Sequence, residues 1–226
     1  MKQPNEQPVE LPGWAGRARR VEKPTLEVGF IVWDDLYYGP ENDFSPGQWK
    51  TLREPLYQPA VASHPGNVKH VFTSALDGPA LGELARHYAD VLRLGEKYAR
   101  APGPPYFWLT PYLFSPGGFE IRFAYHDTRD EAERLFDALE SPGDGEIYGD
   151  VDQGRELTIF ASGDRLFVRH ADFDTGQELA CIWCDRETLV GQVAPLRSRL
   201  ERILAELRAA LGGDYWSRTS TAFDGS

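Results

Sequence analysis

The chain has 226 residues and a mass of 25.4 kDa, a length that predicts one large domain or two closely packed halves. Hydrophobic residues make up 41% of the chain and charged residues 26%, which is typical of a folded globular protein rather than a disordered one. Acidic residues outnumber basic ones by 35 to 24, so the net charge is −11. This balance argues against nucleic acid or an anionic membrane as the partner.

Cysteine content and apolar runs indicate the class of protein and its compartment. There are only two cysteines, which excludes a disulfide scaffold, and no apolar run approaches the roughly 20 residues of a membrane helix. The first residues lack the apolar segment of a secretory signal, so we expect a cytoplasmic location. Proline-rich composition predicts a flexible N-terminal arm over residues 1–25, and we expect a C-terminal tail over 217–226. Between them we expect a single domain over 26–216, with two closely packed halves near 26–126 and 127–216 as the alternative.

Periodicity predicts both strands and helices. Three helices are predicted: an amphipathic helix over 79–100, a short helix that Thr128 and Glu131 open as a capping box, and a long C-terminal helix that contains Pro195. The stretch 34–69 is longer than an ordinary loop and rich in proline, glycine and aromatic residues. Strands are predicted from apolar and β-branched runs at 26–33, 70–76, 106–114, 119–126, 157–161, 166–170 and 179–184.

The order of these elements predicts an α+β fold. The strands cluster in hairpins and in a C-terminal meander, so the sheet should be mostly antiparallel and packed by about three helices. The strand over 179–184 is apolar on both faces, and we therefore expect it to be central and covered on both sides.

Motifs of the common enzyme classes are absent. The sequence has no Walker A loop, no dinucleotide-binding glycine pattern, no nucleophile elbow and no zincin motif, and we expect neither a cofactor nor a metal. Cys181 and Cys184 form a C-x-x-C pair, but residues three apart on a strand point to opposite faces. We therefore interpret them as unbridged core cysteines rather than a redox or zinc pair.

One histidine has carboxylates close to it in sequence. His170, Asp172 and Asp174 lie within five residues and could form an acid–base or metal site. The favoured interpretation is a hairpin loop in which the aspartates supply turn chemistry. If the protein is an enzyme, these three residues are the catalytic candidates. His126 with Asp127 is a weaker pair, since capping of the following helix accounts for it.

The strongest signal is a concentration of acidic residues. Residues 127–152 contain ten acidic side chains against two arginines, which gives this short segment a net charge of −8. Such a field attracts basic partners and raises their association rates. A solvated helix face followed by a loop is the alternative. As partner-binding candidates in this segment we name Glu133, Asp137, Glu140 and Asp144.

A second recognition candidate is the aromatic and acidic loop after the first predicted strand. Its candidate residues are Asp34, Asp35, Tyr37, Tyr38 and Phe44. Rings beside carboxylates are typical of interface anchors with a charged rim. The alternative is that these rings fold back onto the sheet.

A small, acidic α+β domain with aromatic and acidic loops and no catalytic signature resembles bacterial immunity proteins in general character. That resemblance implies a protein that neutralises a cognate toxin by binding it. We therefore expect an acidic inhibitor whose partner is a basic toxin domain. The alternative is an enzyme of unrecognised, hydrolase-like class that uses the His170 site.

Overall fold

The computed structural model describes residues 9–40, 46–64, 69–99, 104–115, 118–123, 128–152 and 154–217. Its α-helices are α1 (Pro46–Thr51), α2 (Gly78–Lys97), α3 (Arg129–Glu140) and α4 (Arg186–Leu211). Its strands are β1 (Arg19–Arg20), β2 (Thr25–Val32), β3 (Asp35–Tyr37), β4 (Arg53–Pro55), β5 (Lys69–Phe72), β6 (Leu109–Ser115), β7 (Phe119–Arg122), β8 (Gly145–Asp152), β9 (Arg155–Ser162), β10 (Arg165–Asp172) and β11 (Glu178–Asp185).

The chain forms two compact units. Unit 1 comprises residues 1–26, 111–125 and 133–195, and unit 2 comprises 27–110, 126–132 and 196–226. The predicted domain boundaries stay a prediction. The α+β class and the mostly antiparallel sheets are confirmed, as is the long C-terminal helix.

Unit 1 is built on a five-stranded sheet with the order β1-β11-β10-β9-β8. Strands β8 to β11 are an antiparallel meander, and β1 adds two residues in parallel to β11. Short turns join the meander, and Gly154, Gly163 and Gly176 occupy the left-handed positions in them, with φ of 75°, 57° and 67°. Because glycine reaches positive φ without a Cβ clash, these turns follow directly from the sequence.

The N-terminal segment covers part of one face of this sheet. Ala15 is buried against Phe160 of β9 and Phe167 of β10, and Trp14 and Trp183 pack around them. The backbone of Val21 then donates a 2.8 Å hydrogen bond to the carbonyl of Trp183. The part of the predicted arm that the structure describes therefore lies along the sheet from residue 9 onward.

Unit 2 has an aromatic core. Trp216, only 1% exposed, meets Phe30 of β2, Tyr88 of α2 and Phe107 edge-on, with ring centroids 5.1 to 6.1 Å apart. In unit 2, β2 pairs with β5, and β3 pairs with β4 in a separate ribbon; in unit 1, residues 112–115 of β6 pair with β7. Burying such large rings provides much of the hydrophobic stabilisation of a unit this size.

Helix α4 contains Pro195, a residue that predicts either a kink or a restart of the helix; the helix runs from Arg186 to Leu211 without a restart. Leu200, Ile203, Leu204 and Leu207 are fully buried, as their spacing predicted. The helix ends at Gly212, where φ is 76° and the amide donates a 2.9 Å hydrogen bond to the carbonyl of Arg208. Within the described ranges, no helix is both long enough and apolar enough to span a membrane.

Several sequence expectations differ from the structure. The strands predicted over 70–76 and 106–114 are shorter than expected, because Thr73–Ala75 and Pro104–Phe107 form short 3-10 helices. Residues 145–152, interpreted as part of a helix face and loop, form strand β8. Strand β11 was expected to be covered on both faces, and this is wrong. Leu179 is 43% exposed, and of its eight residues only Ile182 and Cys184 are buried. Ile182 and Cys184 lie two residues apart and therefore share one face, so only this face of β11 is buried.

Candidate docking surface

Helix α3 separates apolar from charged side chains. Its start is fixed by Glu131, whose carboxylate accepts hydrogen bonds from the backbone amide of Thr128 at 2.8 Å and from the Thr128 hydroxyl at 3.1 Å. This is the carboxylate half of the predicted capping box. The buried stripe contains Ala132, Leu135, Phe136 and Leu139, each at most 1% exposed.

The carboxylates of α3 lie on the opposite side of the helix. Glu133, Asp137 and Glu140 follow one another at four- and three-residue steps, so they share one face. Asp137 and Glu140 are exposed and Glu133 is half-buried, and Asp144 follows just beyond the end of the helix, also exposed. We call Glu133, Asp137, Glu140 and Asp144 the acidic face. All four belong to unit 1.

Arg186 holds the segment that connects α3 to β8. Its guanidinium lies 3.3 Å from Asp144 Oδ1 and donates hydrogen bonds to the carbonyl oxygens of Ser141 and of Gly143, the latter at 3.0 Å. Asp144 in turn accepts the backbone amide of Gly163 at 3.1 and 3.2 Å. The Arg186 side chain is only 16% exposed, so this end of the acidic face is positioned by a largely buried cation.

An open cleft of about 660 Å³ adjoins the acidic face. Four carboxylates line it, those of Glu140, Asp164, Asp185 and Glu187, together with Arg186. Glu187 lies in the first turn of α4, where the helix dipole also favours a negative charge. Asp185 lies 3.4 Å from Arg20 and Asp164 lies 3.9 Å from Arg165, so arginines compensate part of the negative charge of this cleft.

The negative charge continues onto β8. Glu146 is exposed and Asp150 half-exposed, and the strand contains no lysine or arginine. Strand β8 lies at the end of the five-stranded sheet. The acidic segment therefore consists of a helix face followed by an edge strand.

The acidic residues of the second candidate surface have cationic neighbours. Asp34 is 2.6 Å from Lys69 Nζ, and Asp35 of β3 is 2.7 Å from Arg53 of β4. These carboxylates lie in unit 2, whereas the acidic face lies in unit 1. Because each of them has its own cation, the field that they present to a partner is much weaker than the formal charge suggests.

The rings of this loop have partners inside unit 2. Tyr38 stacks on Tyr98 with centroids 4.0 Å apart, and the Tyr37 hydroxyl donates a 3.0 Å hydrogen bond to the carbonyl of Pro40. Both rings are half-buried. This placement corresponds to the alternative in which the rings fold back. Phe44, the remaining candidate, lies outside the described residues.

The carboxylate of Asp172, two residues after His170, is bound by other groups. Asp172 accepts hydrogen bonds from the amide and the hydroxyl of Thr175, at 2.9 and 2.7 Å, and lies 3.4 Å from Arg155. These hydrogen bonds hold the pKa of Asp172 below its ordinary value. Burial, together with the positive charge of Arg155, lowers the pKa of His170. Asp174 is exposed in the turn, and His126 and Asp127 lie outside the described residues.

The two cysteines belong to a single strand. Both lie on β11, where three-residue spacing places Cys181 and Cys184 on opposite faces, as the sequence analysis expected. Burial raises the pKa of the Cys184 thiol to about 12. Cys181 is half-buried, and its thiol donates a 3.6 Å hydrogen bond to the carbonyl of Trp14. In the portion of the chain that the structure describes, no group of three or more histidine, cysteine or carboxylate side chains could hold a metal ion.

Sequence reasoning missed two charged groups. One is Arg186, which gave no signal because its acceptors are mostly carbonyl oxygens of distant segments. The other is the pair of Glu27 on β2, only 3% exposed, and Arg199 on α4. A lone glutamate inside an apolar strand was a visible sign that a partner was required.

Comparison with known proteins adds no identification. No family model matches the chain, and no curated protein or solved structure matches it.

Proposed function

We propose that this protein is an acidic, protein-binding inhibitor of the bacterial immunity-protein type, which neutralises a cognate basic toxin domain by direct binding. The observation that carries the proposal is the arrangement of carboxylates in unit 1. Exposed acids on α3 and the acids of β8 follow one another in the chain, and the cleft beside Glu140 adds acidic residues from more distant segments.

The charge of this surface is not explained by the needs of folding. Exposed carboxylates contribute little to stability, and a net charge concentrated on one surface opposes folding through self-repulsion. The same concentration steers a basic partner toward the surface and orients it before contact. A surface of this kind suits an inhibitor, since it must bind its target before the target acts.

The second surface, around Asp34 and Asp35, supports the proposal less. Its carboxylates lie beside Lys69 and Arg53, and Tyr38 is stacked on Tyr98. No observation on His170 favours the enzymatic alternative, because Asp172 is held by the turn and by Arg155.

The test uses the toxin domain encoded next to this gene as the candidate partner. The wild-type chain should protect cells that express that domain, and the two purified proteins should associate quickly at low salt. The association rate should fall steeply as salt rises, since the Debye length shrinks from about 10 Å at 0.1 M to about 3 Å at 1 M.

Charge reversal identifies the surface. The variant Asp137→Lys/Glu140→Lys should lower the association rate at low salt about ten-fold or more, with little effect on the free energy of unfolding. The matched control, Glu22→Lys/Glu96→Lys, changes the net charge equally at two exposed acids away from α3 and β8. Equal rates for the two variants would contradict a docking role for the acidic face, and failure of the wild type to bind or protect would overturn the proposed function.

A further inference from the structure

Strand β8 is an edge strand with an open backbone. Among the described residues it ends the five-stranded sheet and pairs only with β9, and it is eight residues long. Across the described residues, no backbone hydrogen bond joins Gly149 or Val151 to a further strand or loop. Open edges of this length readily take up another strand, and most proteins shorten or block them.

The register shows which backbone groups face the open side. Asp152 pairs with Arg155 across a two-residue connection, so this is the hydrogen-bonded pair that closes the hairpin. Alternation then directs the amide and carbonyl groups of Asp150 toward β9. Those of Gly149 and Val151 point away from the sheet. Both residues are also exposed to solvent, Val151 at 54%.

The opposite edge of the same sheet, formed by β1, has features that discourage the addition of another strand. Strand β1 is only two residues long, and both residues are arginines. Short edge strands with cationic side chains discourage strand addition. Strand β8 is neither short nor cationic. Its register with β9 shifts between Glu146 and Tyr148, and residues 149 to 151 pair regularly.

Charge determines which strand fits this edge. Glu146 and Asp150 lie on β8, and the acidic face precedes it in the chain. A second copy of this chain would place carboxylates against carboxylates and is disfavoured. An extended segment with lysine or arginine side chains would be attracted.

We propose that the basic partner docks by strand addition: an extended, basic segment of the toxin domain pairs with the outer edge of β8 through the backbone groups of Gly149 and Val151. This inference rests on the proposed function and specifies its binding mode. The carboxylates of the acidic face would steer the approach, and four backbone hydrogen bonds would hold the added strand.

Proline substitution provides the test. Val151→Pro removes the outward amide without removing a hydrogen bond to β9, and proline is tolerated on edge strands in this orientation. The control Val151→Ala keeps the amide and removes most of the side chain. Affinity for the candidate toxin domain should fall about ten-fold or more for the proline variant and change little for the alanine variant.

Amide hydrogen exchange of the wild-type chain is the second readout. In the free protein, Gly149 and Val151 should exchange quickly and Asp150 slowly, and the toxin domain should slow the exchange of the first two. If the wild type binds but both variants bind equally well and exchange at Gly149 and Val151 is unchanged, strand addition is wrong and the proposed function stands. If the wild type does not bind at all, the proposed function fails first.

Discussion

Replacing Arg199 should expose how strongly unit 2 depends on one buried charge pair. The carboxylate of Glu27 lies 3.3 and 3.4 Å from the Arg199 guanidinium. It also accepts the amides of Val28 and Ser74, at 3.0 and 3.2 Å, and the hydroxyl of Thr73. Arg199 Nε completes the network with a 2.9 Å hydrogen bond to the same hydroxyl. Removing Arg199 would leave a buried anion without its cation.

The expected cost follows from the exposure of the two partners. Breaking a buried pair by removing one member costs about 3–5 kcal/mol. The Glu27 side chain is 4% exposed but that of Arg199 is 35% exposed, so water would partly replace the guanidinium. We therefore expect Arg199→Leu to lower the free energy of unfolding by about 3 kcal/mol, the lower end of that range. Adding Glu27→Gln should recover a small part of the loss, because the neutral amide needs no cation but has only one oxygen to accept from the Val28 and Ser74 amides.

Urea unfolding followed by tryptophan fluorescence measures both variants. Arg202→Leu is the matched control, since it lies on the same helix and its 3.0 Å pair with Glu206 is about half-exposed on each side (52% and 51%). That pair should contribute only about 0.3–0.5 kcal/mol. The reasoning is refuted if Arg199→Leu costs no more than Arg202→Leu. It is also refuted if adding Glu27→Gln makes the protein less stable still.

Three further predictions concern other sites. Arg186→Ala should lower the free energy of unfolding by about 2 kcal/mol and speed amide exchange at Gly163. Urea unfolding and hydrogen exchange measure the two effects, and wild-type values for both would contradict the role of Arg186. Burial lowers the pKa of His87, whose Nδ1 lies 2.7 Å from the Tyr57 carbonyl. The unfolded chain therefore binds a proton more readily than the folded one, and the free energy of unfolding should decline as the pH falls below the pKa of the unfolded histidine, about 6.5. The decline is at most about 1.4 kcal/mol per pH unit for one proton. His87→Gln should weaken that decline in unfolding measured near pH 7 and pH 5, and an unchanged pH dependence would count against it. Cys184 should resist alkylation until the protein is unfolded, as mass spectrometry of iodoacetamide-treated samples would show, whereas rapid native labelling would disprove its burial.

Local patterns in the sequence determined most of the regular elements. The apolar steps that predicted the helix over 79–100 correspond to α2, and the Thr128 and Glu131 pair marks the start of α3 as expected. The leucine seam of α4 is buried as its spacing indicated. These features depend on residues within one or two turns of each other, so the sequence carries them directly.

Tertiary structure alone decided the features that depend on distant segments. Strand β8 lacks a regular apolar alternation because it is an edge strand with glycines and acids, and only its pairing with β9 shows it to be a strand. In the sequence, Asp34 and Asp35 are typical of a recognition surface. In the structure Asp34 lies beside Lys69 and Asp35 beside Arg53, which are 35 and 18 residues away in the chain. The exposed acids of α3 were visible in the sequence. The negative potential of a carboxylate depends on how close the nearest cation lies. That distance is a few ångströms between segments far apart in the chain, and only the folded structure sets it.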